Sequence, residues 1–179
     1  AILEKDLKMP DVSYTETDAD LEGFKVTVDC PDLCHRYSCH YVTDVTIGES
    51  PAWMKRRLAL VGIDAISNVV DITNYILKEL GQPMHAFDLT TLEGNAIHVR
   101  RANDGETITT LDGQELTLTN ANMLICDGVK PVALAGVMGG LNSEIRETTT
   151  TVLFESAKFA RDNIRRTSKA VGKSSDSSQ

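Results

Sequence analysis

The segment ITNYILKELGQPMHAFD, residues 72–88, carries three polar side chains whose types suit a ligand or a reacting group. His85 has an ordinary pKa near 6.5, so near neutral pH it can orient a water molecule or accept a proton. Thr73 and Asn74 come twelve and eleven residues earlier, and their hydroxyl and amide groups can hold polar parts of a ligand. The pattern predicts a helix over the first part of the segment, followed by a turn anchored by Pro83 that carries His85.

Each of these residues also has a purely structural interpretation. The ring of His85 can hydrogen-bond to the carbonyl groups that a helix leaves free after Leu80, and the residues alone favour this role. Thr73 and Asn74 can be ordinary polar residues on a helix surface. The sequence pattern therefore leaves open whether the three side chains meet over a substrate.

Glu155 is a further candidate, in the segment TVLFES at residues 151–156. This segment predicts a strand in which Leu153 and Glu155 face the same side. If Leu153 belongs to the core, the carboxylate beside it is buried and needs polar partners, because an unpaired buried charge is costly. The alternative is an exposed glutamate at the end of a strand, which the residues alone favour.

The glycine-rich segment ALAGVMGGLNSE, residues 133–144, predicts a backbone that comes close to a ligand or to another strand. Ala135 and Gly136 would let a ligand ring approach the backbone, and tight packing at a barrel corner is the alternative. The segment lacks the lysine of a phosphate-binding loop. The sequence contains no P-loop, dinucleotide fingerprint, G-x-S-x-G elbow or H-E-x-x-H motif, and no nucleophile–base triad stands out.

The cysteines raise the question of a metal site, because three of the four crowd into CPDLCHRYSCH together with His35 and His40. Their gaps of three and four residues, without a second CxxC pair, do not match a zinc site. We therefore expect no metal and interpret the cysteines as small reduced thiols in the interior. They are Cys30, Cys34, Cys39 and Cys126.

The composition is that of one globular domain: 179 residues, 41% of them hydrophobic and 25% charged. The net charge of −8 has the opposite sign from that of a protein which grips many phosphates. Residues 158–173 differ, with six basic residues and one acidic residue, and can be either a phosphate contact or a solvated helix face. No apolar run is long enough to span a membrane, and we expect a cytoplasmic protein.

The order of predicted elements indicates an α+β fold with mostly antiparallel pairing, because strands cluster and do not alternate with helices. Two strands, two helices, a strand-rich region from residue 95 to 155 and a last helix at about 160–171 follow one another. Ser50 is the predicted N-cap of the first helix, and Ser67 or Asn68 is that of the second. The buried stripe of the second helix is predicted at Ile72, Ile76 and Leu80, and a type I′ turn is predicted at Asp112 and Gly113.

The ends of the chain suggest a division of the sequence. Residues 1–22 are acidic and poor in apolar residues, so we expect a linker or lead-in there. Residues 23–179 would form the folded domain. The absence of an initiating methionine and the ending GKSSDSSQ lead us to expect a piece of a longer chain, cut within the domain at its C-terminal end.

Several long motifs, in this order, carry a resemblance to a known family: ISNVVDITNYILKELGQPMHAFD, TLDGQEL, ALAGVMGG and VLFESAKF. The sequence from about residue 24 to 179 resembles the β subunit of bacterial phenylalanyl-tRNA synthetase, in its internal editing domain, the B3/B4 region. LCHRYSCHYVTDVTIGESPAWM also resembles the lead-in to that domain. The resemblance implies a closed, six-stranded Greek-key β-barrel core, with two helices inserted after the first strands and a C-terminal helix.

The resemblance also implies an activity. In that family the other subunit charges tRNA with phenylalanine and sometimes accepts tyrosine, and the editing domain hydrolyses the mischarged tyrosyl ester. This implies the tRNA(Phe) acceptor end, the α subunit of an αβ heterotetramer and free tyrosine as partners, without a membrane. It implies no cofactor in this domain, while the whole synthetase uses ATP and magnesium. The editing residues carry over as catalytic His85, Thr73 and Asn74, and as substrate-binding Glu155, Ala135 and Gly136.

An aminoacyl ester is already activated, so a positioned water molecule and donors for the carbonyl oxygen suffice for its hydrolysis. The sequence departs from the family at Asp64, where many relatives have an arginine linked to editing. The alternative is therefore a non-catalytic module that holds the synthetase subunits and the tRNA together. A cavity lined by both Glu155 and His85 would favour the hydrolase.

Overall fold

The structure is a computed structural model that describes residues 6, 8, 11–15, 21–175 and 178. Most of the predicted acidic lead-in at residues 1–22 lies outside the described residues, so the division of the chain at residue 22 stays a prediction. The described part forms ten strands: β1 Lys25–Val28, β2 Cys34–Val42, β3 Met84–Asp88, β4 Ala96–Arg101, β5 Thr107–Thr109, β6 Glu115–Thr117, β7 Met123–Cys126, β8 Pro131–Leu134, β9 Met138–Gly139 and β10 Val152–Phe159. Its α-helices are α1 Ala52–Leu60, α2 Asn68–Leu80 and α3 Arg161–Val171.

The strands of the described part form three separate sheets, with the orders β1-β4-β7-β8-β9, β2-β10-β3 and β5-β6. The α+β mixture is as predicted, but the predicted closed six-stranded barrel is wrong, because no sheet of this part closes on itself. A barrel requires the two edge strands of one sheet to pair. In the largest sheet β1 and β9 remain edges, while β10 is occupied on both sides by β2 and β3. Pairing is antiparallel except between β1 and β4, which run parallel.

The three-stranded sheet is buried on both faces around its central strand β10. On one face Leu153 pairs with Phe87 of β3, and both are fully buried in the main core. On the other face Val152 packs with Ala86 and with Val69 of α2. The sheet therefore separates α2 from the main core.

Strand β3 was not predicted, and the expectation that His85 lies on a turn is wrong. Met84–Asp88 pairs with Val152–Ser156 of β10 along its whole length. Because both faces of this strand meet other parts of the protein, its residues lack the apolar–polar alternation that marks a half-buried strand. Pro83 immediately precedes the strand, at a position that needs no backbone N–H for a hydrogen bond between strands.

The predicted helix α2 is confirmed, and Gly81 ends it in a left-handed conformation with φ 70°. Its predicted buried stripe is wrong, since Ile72 is 36% and Leu80 64% exposed. The buried residues are Val69, Asp71 and Thr73. Polar contacts set this orientation of the helix.

The carboxylate of Asp71 anchors that orientation. It accepts a 2.5 Å hydrogen bond from the hydroxyl of Ser50 and a 2.8 Å bond from the backbone N–H of Ile66. The prediction that Ser50 is the N-cap of α1 is therefore wrong. Its hydroxyl instead links the segment before α1 to α2. Pro51 occupies the N-cap position.

The β5–β6 hairpin is confirmed, but the prediction that its turn is of type I′ is wrong. Such a turn needs positive φ at both central residues. Gly113 has φ 77°, and Asp112 is not among the described residues with positive φ. The hydroxyl of Thr110 instead donates a 2.6 Å hydrogen bond to the Asp112 carboxylate, which keeps that side chain inside the turn.

The last helix is confirmed at α3 and ends at Gly172, with φ 66°. Its buried residues alternate with exposed basic residues, so the arginines and Lys169 of the basic segment lie along the solvent-facing side of the helix. Lys173, beyond the helix, is buried and pairs with Asp112. Among the residues that the structure describes, no helix is both long and apolar enough to cross a membrane.

Candidate functional site

A cavity of about 520 Å³ lies between the three-stranded sheet, the β8–β9 turn and the adjoining ends of α2 and α3. This volume is within the range of small-molecule sites in proteins. Its lining comprises Leu77, Gly81, Gln82, Pro83, Met84 and His85 around the end of α2 and β3, Ile125 and residues 133–139 from β7 to β9, and Glu155, Ala157, Lys158, Phe159, Arg161, Ile164 and Ser178.

Glu155 and His85 line this cavity together. They are direct partners in the antiparallel register of β10 and β3. Cross-strand partners project from the same face of a sheet, so both side chains face the cavity. No hydrogen bond joins these two described side chains, which leaves each available to a ligand. The alternative interpretation, an exposed glutamate at the end of a strand, is wrong, because Glu155 is only 7% exposed.

The carboxylate of Glu155 is held from the other neighbour of β10. The hydroxyl of Tyr37, on β2, donates a 2.6 Å hydrogen bond to Oε2 of Glu155. Burial raises the pKa of Glu155 to about 7, and the bond from Tyr37 offsets part of this rise. Burial and the neighbouring carboxylate raise the pKa of Tyr37 well above its usual value, so its hydroxyl keeps its proton.

His85 is packed against apolar and backbone groups. Its ring meets the ring of Phe87 edge-on, with 4.5 Å between centroids. A Cβ atom on Gly139 would lie 2.6 Å from Cε1 of His85, so only glycine leaves room for the imidazole here. Burial lowers the pKa of His85 to about 4, because desolvation disfavours the charged ring. The imidazole is therefore neutral at physiological pH.

Ala135 and Gly136 lie at the turn between β8 and β9 and also line the cavity. Ala135 is buried, and its N–H donates to the carbonyl of Met123 over 3.0 Å. Gly136 has φ 66°, and a Cβ there would lie 2.8 Å from Cδ1 of Ile164. The absence of a side chain at Gly136 therefore lets this turn of the cavity wall pack closely against Ile164.

Thr73 and Asn74 lie on α2, and neither is among the residues that line the cavity. Thr73 is buried, and its hydroxyl donates a 2.7 Å bond to the carbonyl of Val70 within the helix. Leu77, one turn further along, does line the cavity. The structure thus brings together four of the six predicted residues, and it places Thr73 and Asn74 one helical turn away.

Tyr37 and Gly139 were missed by reasoning from sequence. Tyr37 is in CHRYSCH, where only the cysteines and histidines were candidate site residues. Its strand was predicted, but its pairing with a segment 118 residues away was not visible in any local pattern. Gly139 was within the glycine-rich segment, where nothing distinguished it from its neighbours.

The cysteines form no metal site within the described residues, where no group of three or more His, Cys, Asp or Glu side chains is placed to hold a metal ion. Cys30, Cys34 and Cys126 are buried and unpaired. Burial raises the pKa of the Cys39 thiol to about 12 and that of Cys34 to about 11. In the absence of a metal, these thiols remain protonated near neutral pH.

The chain matches the family model of the B3/4 domain over residues 33–179. It is 49% identical over 177 residues to the phenylalanine–tRNA ligase beta subunit of Syntrophus aciditrophicus (strain SB), covering 98% of this chain and 22% of that relative. It is 56% identical over 153 residues to the corresponding subunit of Geobacter sulfurreducens, covering 86% of this chain and 19% of that relative. The chain thus spans about a fifth of the length of the curated relatives that it matches.

Among solved structures, the fold is similar to an N-terminal fragment of the phenylalanyl-tRNA synthetase beta-subunit from Pyrococcus horikoshii. The TM-score is 0.59, with 12% sequence identity, over 96% of this chain and 54% of that chain. At this identity the likeness concerns the fold alone. The match to the family model covers well over half of the sequence, and so the chain belongs to the B3/4 domain family, as found in the beta subunit of phenylalanine–tRNA ligases.

Proposed function

We propose that this chain is an editing domain, which hydrolyses the ester of tyrosine wrongly attached to tRNA(Phe). One observation carries the proposal: Glu155 and His85 are cross-strand partners that face one cavity of about 520 Å³. A module without chemistry has no evident use for a buried carboxylate and a neutral imidazole beside an open cavity. Perturbed titratable groups of this kind cluster at functional sites.

The proposed role of His85 is to position the attacking water. With a pKa of about 4 it is a weak base, but it offers a neutral nitrogen that can accept a hydrogen bond from water. An aminoacyl ester needs little more, because water held in line with the carbonyl replaces a bimolecular encounter. Thr73 and Asn74 stay predicted contributors, one helical turn from the cavity lining.

The proposed role of Glu155 is to recognise the tyrosine hydroxyl. Tyr37 occupies Oε2, which leaves Oε1 for a ligand. A phenylalanine ring offers that oxygen no partner, and leaving a buried polar group unpaired costs about 1–3 kcal/mol. A site built around such a group rejects the analogue that lacks the hydroxyl, which an apolar pocket cannot do. Ala135 and Gly136 would form the wall along the ring.

We propose that the domain acts within a whole phenylalanine–tRNA ligase. There the tRNA(Phe) acceptor end and an α subunit would be its partners, and ATP and magnesium would be used elsewhere, for charging. Free tyrosine would bind the cavity as a product.

Deacylation of tyrosyl-tRNA(Phe) tests the proposal, with this sequence carried in a whole phenylalanine–tRNA ligase. We expect hydrolysis of the tyrosyl ester and not of the phenylalanyl ester. His85→Ala should slow hydrolysis by ~10²-fold or more, as loss of a group that positions water or a proton typically does. Phenylalanine charging by the same variant is the control and should be unchanged. If the parent does not deacylate tyrosyl-tRNA, the non-catalytic module is the better description, consistent with Asp64 in the exposed loop before α2.

A further inference from the structure

The two side-chain oxygens of Glu155 have different surroundings. Oε2 accepts the 2.6 Å hydrogen bond from the hydroxyl of Tyr37. Oε1 has no hydrogen-bond partner within the described part of the chain, yet it is not sealed inside the protein: the buried side-chain atoms that lack a partner there are Oδ1 of Asn163 and Oγ of Ser175. Because Glu155 lines the cavity, Oε1 is the oxygen that a ligand can reach.

The bond from Tyr37 also decides where a proton on Glu155 can lie. An ionised carboxylate only accepts hydrogen bonds, whereas a neutral carboxyl group has one O–H donor and one oxygen that accepts. The hydroxyl of Tyr37 keeps its own proton, because burial and the neighbouring carboxylate raise its pKa well above the usual value. A carboxyl proton on Oε2 would point at the proton that Tyr37 donates there. The proton of the neutral acid therefore belongs on Oε1, which faces the cavity.

The two neighbouring strands place other ionisable groups beside Glu155, but these keep one protonation state near neutral pH. Cys39 of β2 and His85 of β3 are its direct cross-strand partners, and the Cys34 thiol interacts electrostatically with it. Burial raises the pKa of Cys39 to about 12 and that of Cys34 to about 11, and lowers that of His85 to about 4. Between about pH 6 and about pH 8, Glu155, with a pKa of about 7, is therefore the one group of these four that changes charge.

The other walls of the cavity leave this behaviour to Glu155. Ile125 and residues 133–139 have no ionisable side chains. Lys158 and Arg161 are exposed lining residues, and neither forms an ion pair or a hydrogen bond with Glu155 within the described part of the chain. Burial and the bond from Tyr37 are what shift the pKa of Glu155.

We propose that Tyr37 is a positioning residue that gives the cavity two opposite ways to recognise the para substituent of a phenylalanine-like side chain. Neutral Glu155 donates from Oε1 to an acceptor on the ring, and ionised Glu155 accepts at Oε1 from a donor. This rests on the proposed function, in which Glu155 contacts the tyrosine hydroxyl. A hydroxyl satisfies both forms, since it can donate or accept. An ether oxygen satisfies only the neutral form, and an amino group is best matched by the ionised form.

The test is calorimetric titration of this chain with two matched pairs of free amino acids, at about pH 6 and about pH 8. 4-Methoxyphenylalanine and 4-ethylphenylalanine differ by an ether oxygen in place of CH₂, and 4-aminophenylalanine and 4-methylphenylalanine by NH₂ in place of CH₃. We expect 4-methoxyphenylalanine to bind about 3- to 10-fold more tightly than its partner at the lower pH, and no more tightly at the higher pH. The amino compound should be favoured by about 10-fold or more at the higher pH, where its partner is charged, and by less at the lower pH.

Glu155→Gln removes the ionisation and keeps the shape. Its amide oxygen can accept the bond from Tyr37, which leaves the NH₂ group facing the cavity as a permanent donor. This variant should therefore favour 4-methoxyphenylalanine over 4-ethylphenylalanine at both pH values. Loss of the pH dependence together with retained binding distinguishes a change in recognition from a loss of the fold.

Tyr37→Phe should move the reversal of preference to higher pH, because the bond from Tyr37 offsets part of the rise in the pKa of Glu155. Tyr75→Phe is the matched control. The hydroxyl of Tyr75 donates a 3.1 Å bond to Glu79, and Tyr75 does not line the cavity, so this variant should keep the parental pattern. Thermal unfolding midpoints above the titration temperature establish that each variant is folded, and Glu155→Gln decides the question if Tyr37→Phe is not.

Three results would overturn the proposal: parental preferences that are the same at both pH values, a pH dependence that survives in Glu155→Gln, or no binding of any of the four amino acids. Deacylation of tyrosyl-tRNA by a whole ligase is a separate measurement. The binding pattern would stand even if the ligase failed to deacylate. Deacylation combined with preferences that ignore pH would support the proposed function and sink this inference.

Discussion

The hydroxyl of Tyr37 donates a 2.6 Å hydrogen bond to Oε2 of Glu155, and this bond joins two strands whose residues are 118 positions apart in the chain. β10 lies between β2, which supplies Tyr37, and β3, which supplies His85. The carboxylate is therefore held on one side of its strand while the imidazole stands on the other. That arrangement leaves one carboxylate oxygen of Glu155 free and fixes its position.

Removing the hydroxyl of Tyr37 should weaken both the fold and the specificity of the cavity. Tyr37→Phe should lower the free energy of unfolding by about 1.5–3 kcal/mol at pH 8, the usual value for a bond to a charged group. Chemical denaturation measures this. Tyr75→Phe is a suitable comparison and should cost less than about 1 kcal/mol, since its hydroxyl contacts Arg57 and Glu79 at the surface. Equal losses in both variants would contradict a special role for Tyr37.

Glu155→Ala should weaken discrimination between tyrosine and phenylalanine. Tyrosine and tyrosyl-tRNA should lose affinity by roughly 5- to 150-fold, the equivalent of about 1–3 kcal/mol, because the hydroxyl loses its partner. Phenylalanine, which never used that partner, should not lose affinity. Calorimetric titration with the two free amino acids measures the ratio. A variant that keeps the parental preference for tyrosine would mean that backbone groups read the hydroxyl.

Glu155 should make the fold less stable as the pH rises. Its pKa is raised from 4.5 to about 7 by burial, so between these values the folded chain binds more protons than the unfolded chain. The free energy of unfolding should therefore fall from pH 4.5 to pH 7, by up to about 3 kcal/mol from this group. Glu155→Gln, which cannot ionise, should remove that part of the pH dependence. An unchanged profile in the variant would show that the carboxylate is not desolvated.

The ionisation of His85 should have the opposite effect on the pH dependence of stability, and at lower pH. Its pKa is lowered from 6.5 to about 4, so between these values the unfolded chain binds more protons, and stability should be lost as the pH falls from 6.5 toward 4. For the same reason, the rate of tyrosyl-tRNA hydrolysis should show no inflection from His85 between pH 5.5 and 8. An inflection near pH 6.5 that His85→Ala abolishes would mean that the imidazole is more hydrated than the structure indicates.

The isolated chain should bind tRNA weakly. It carries a net charge of −8, which opposes simultaneous contact with many phosphates. Fluorescence titration at moderate salt should show no tight complex. Nanomolar affinity that weakens steeply with salt would require many phosphate contacts and would contradict this expectation.

Local sequence patterns were enough to predict the helices and most of the candidate site residues. A glycine after an apolar periodic segment ended α2 and α3 where predicted, because only glycine adopts positive φ there without strain. The family resemblance rested on long motifs, and the family is confirmed. The candidates His85, Glu155, Ala135 and Gly136 came from those motifs, and all four line one cavity. Their individual roles stay predictions.

Strand pairing was decided only by the tertiary structure. β10 and β2 pair across more than a hundred residues, and the parallel contact of β1 with β4 closes another long loop. No local pattern encodes such partners, and the closed barrel that the family resemblance implied is not what the described part of the chain forms, which is three open sheets. The same pairing decides the site: Tyr37 and His85 reach Glu155 from opposite neighbours of one central strand. Residue types alone determined what these groups can do, and long-range hydrogen-bond register determined which of them meet.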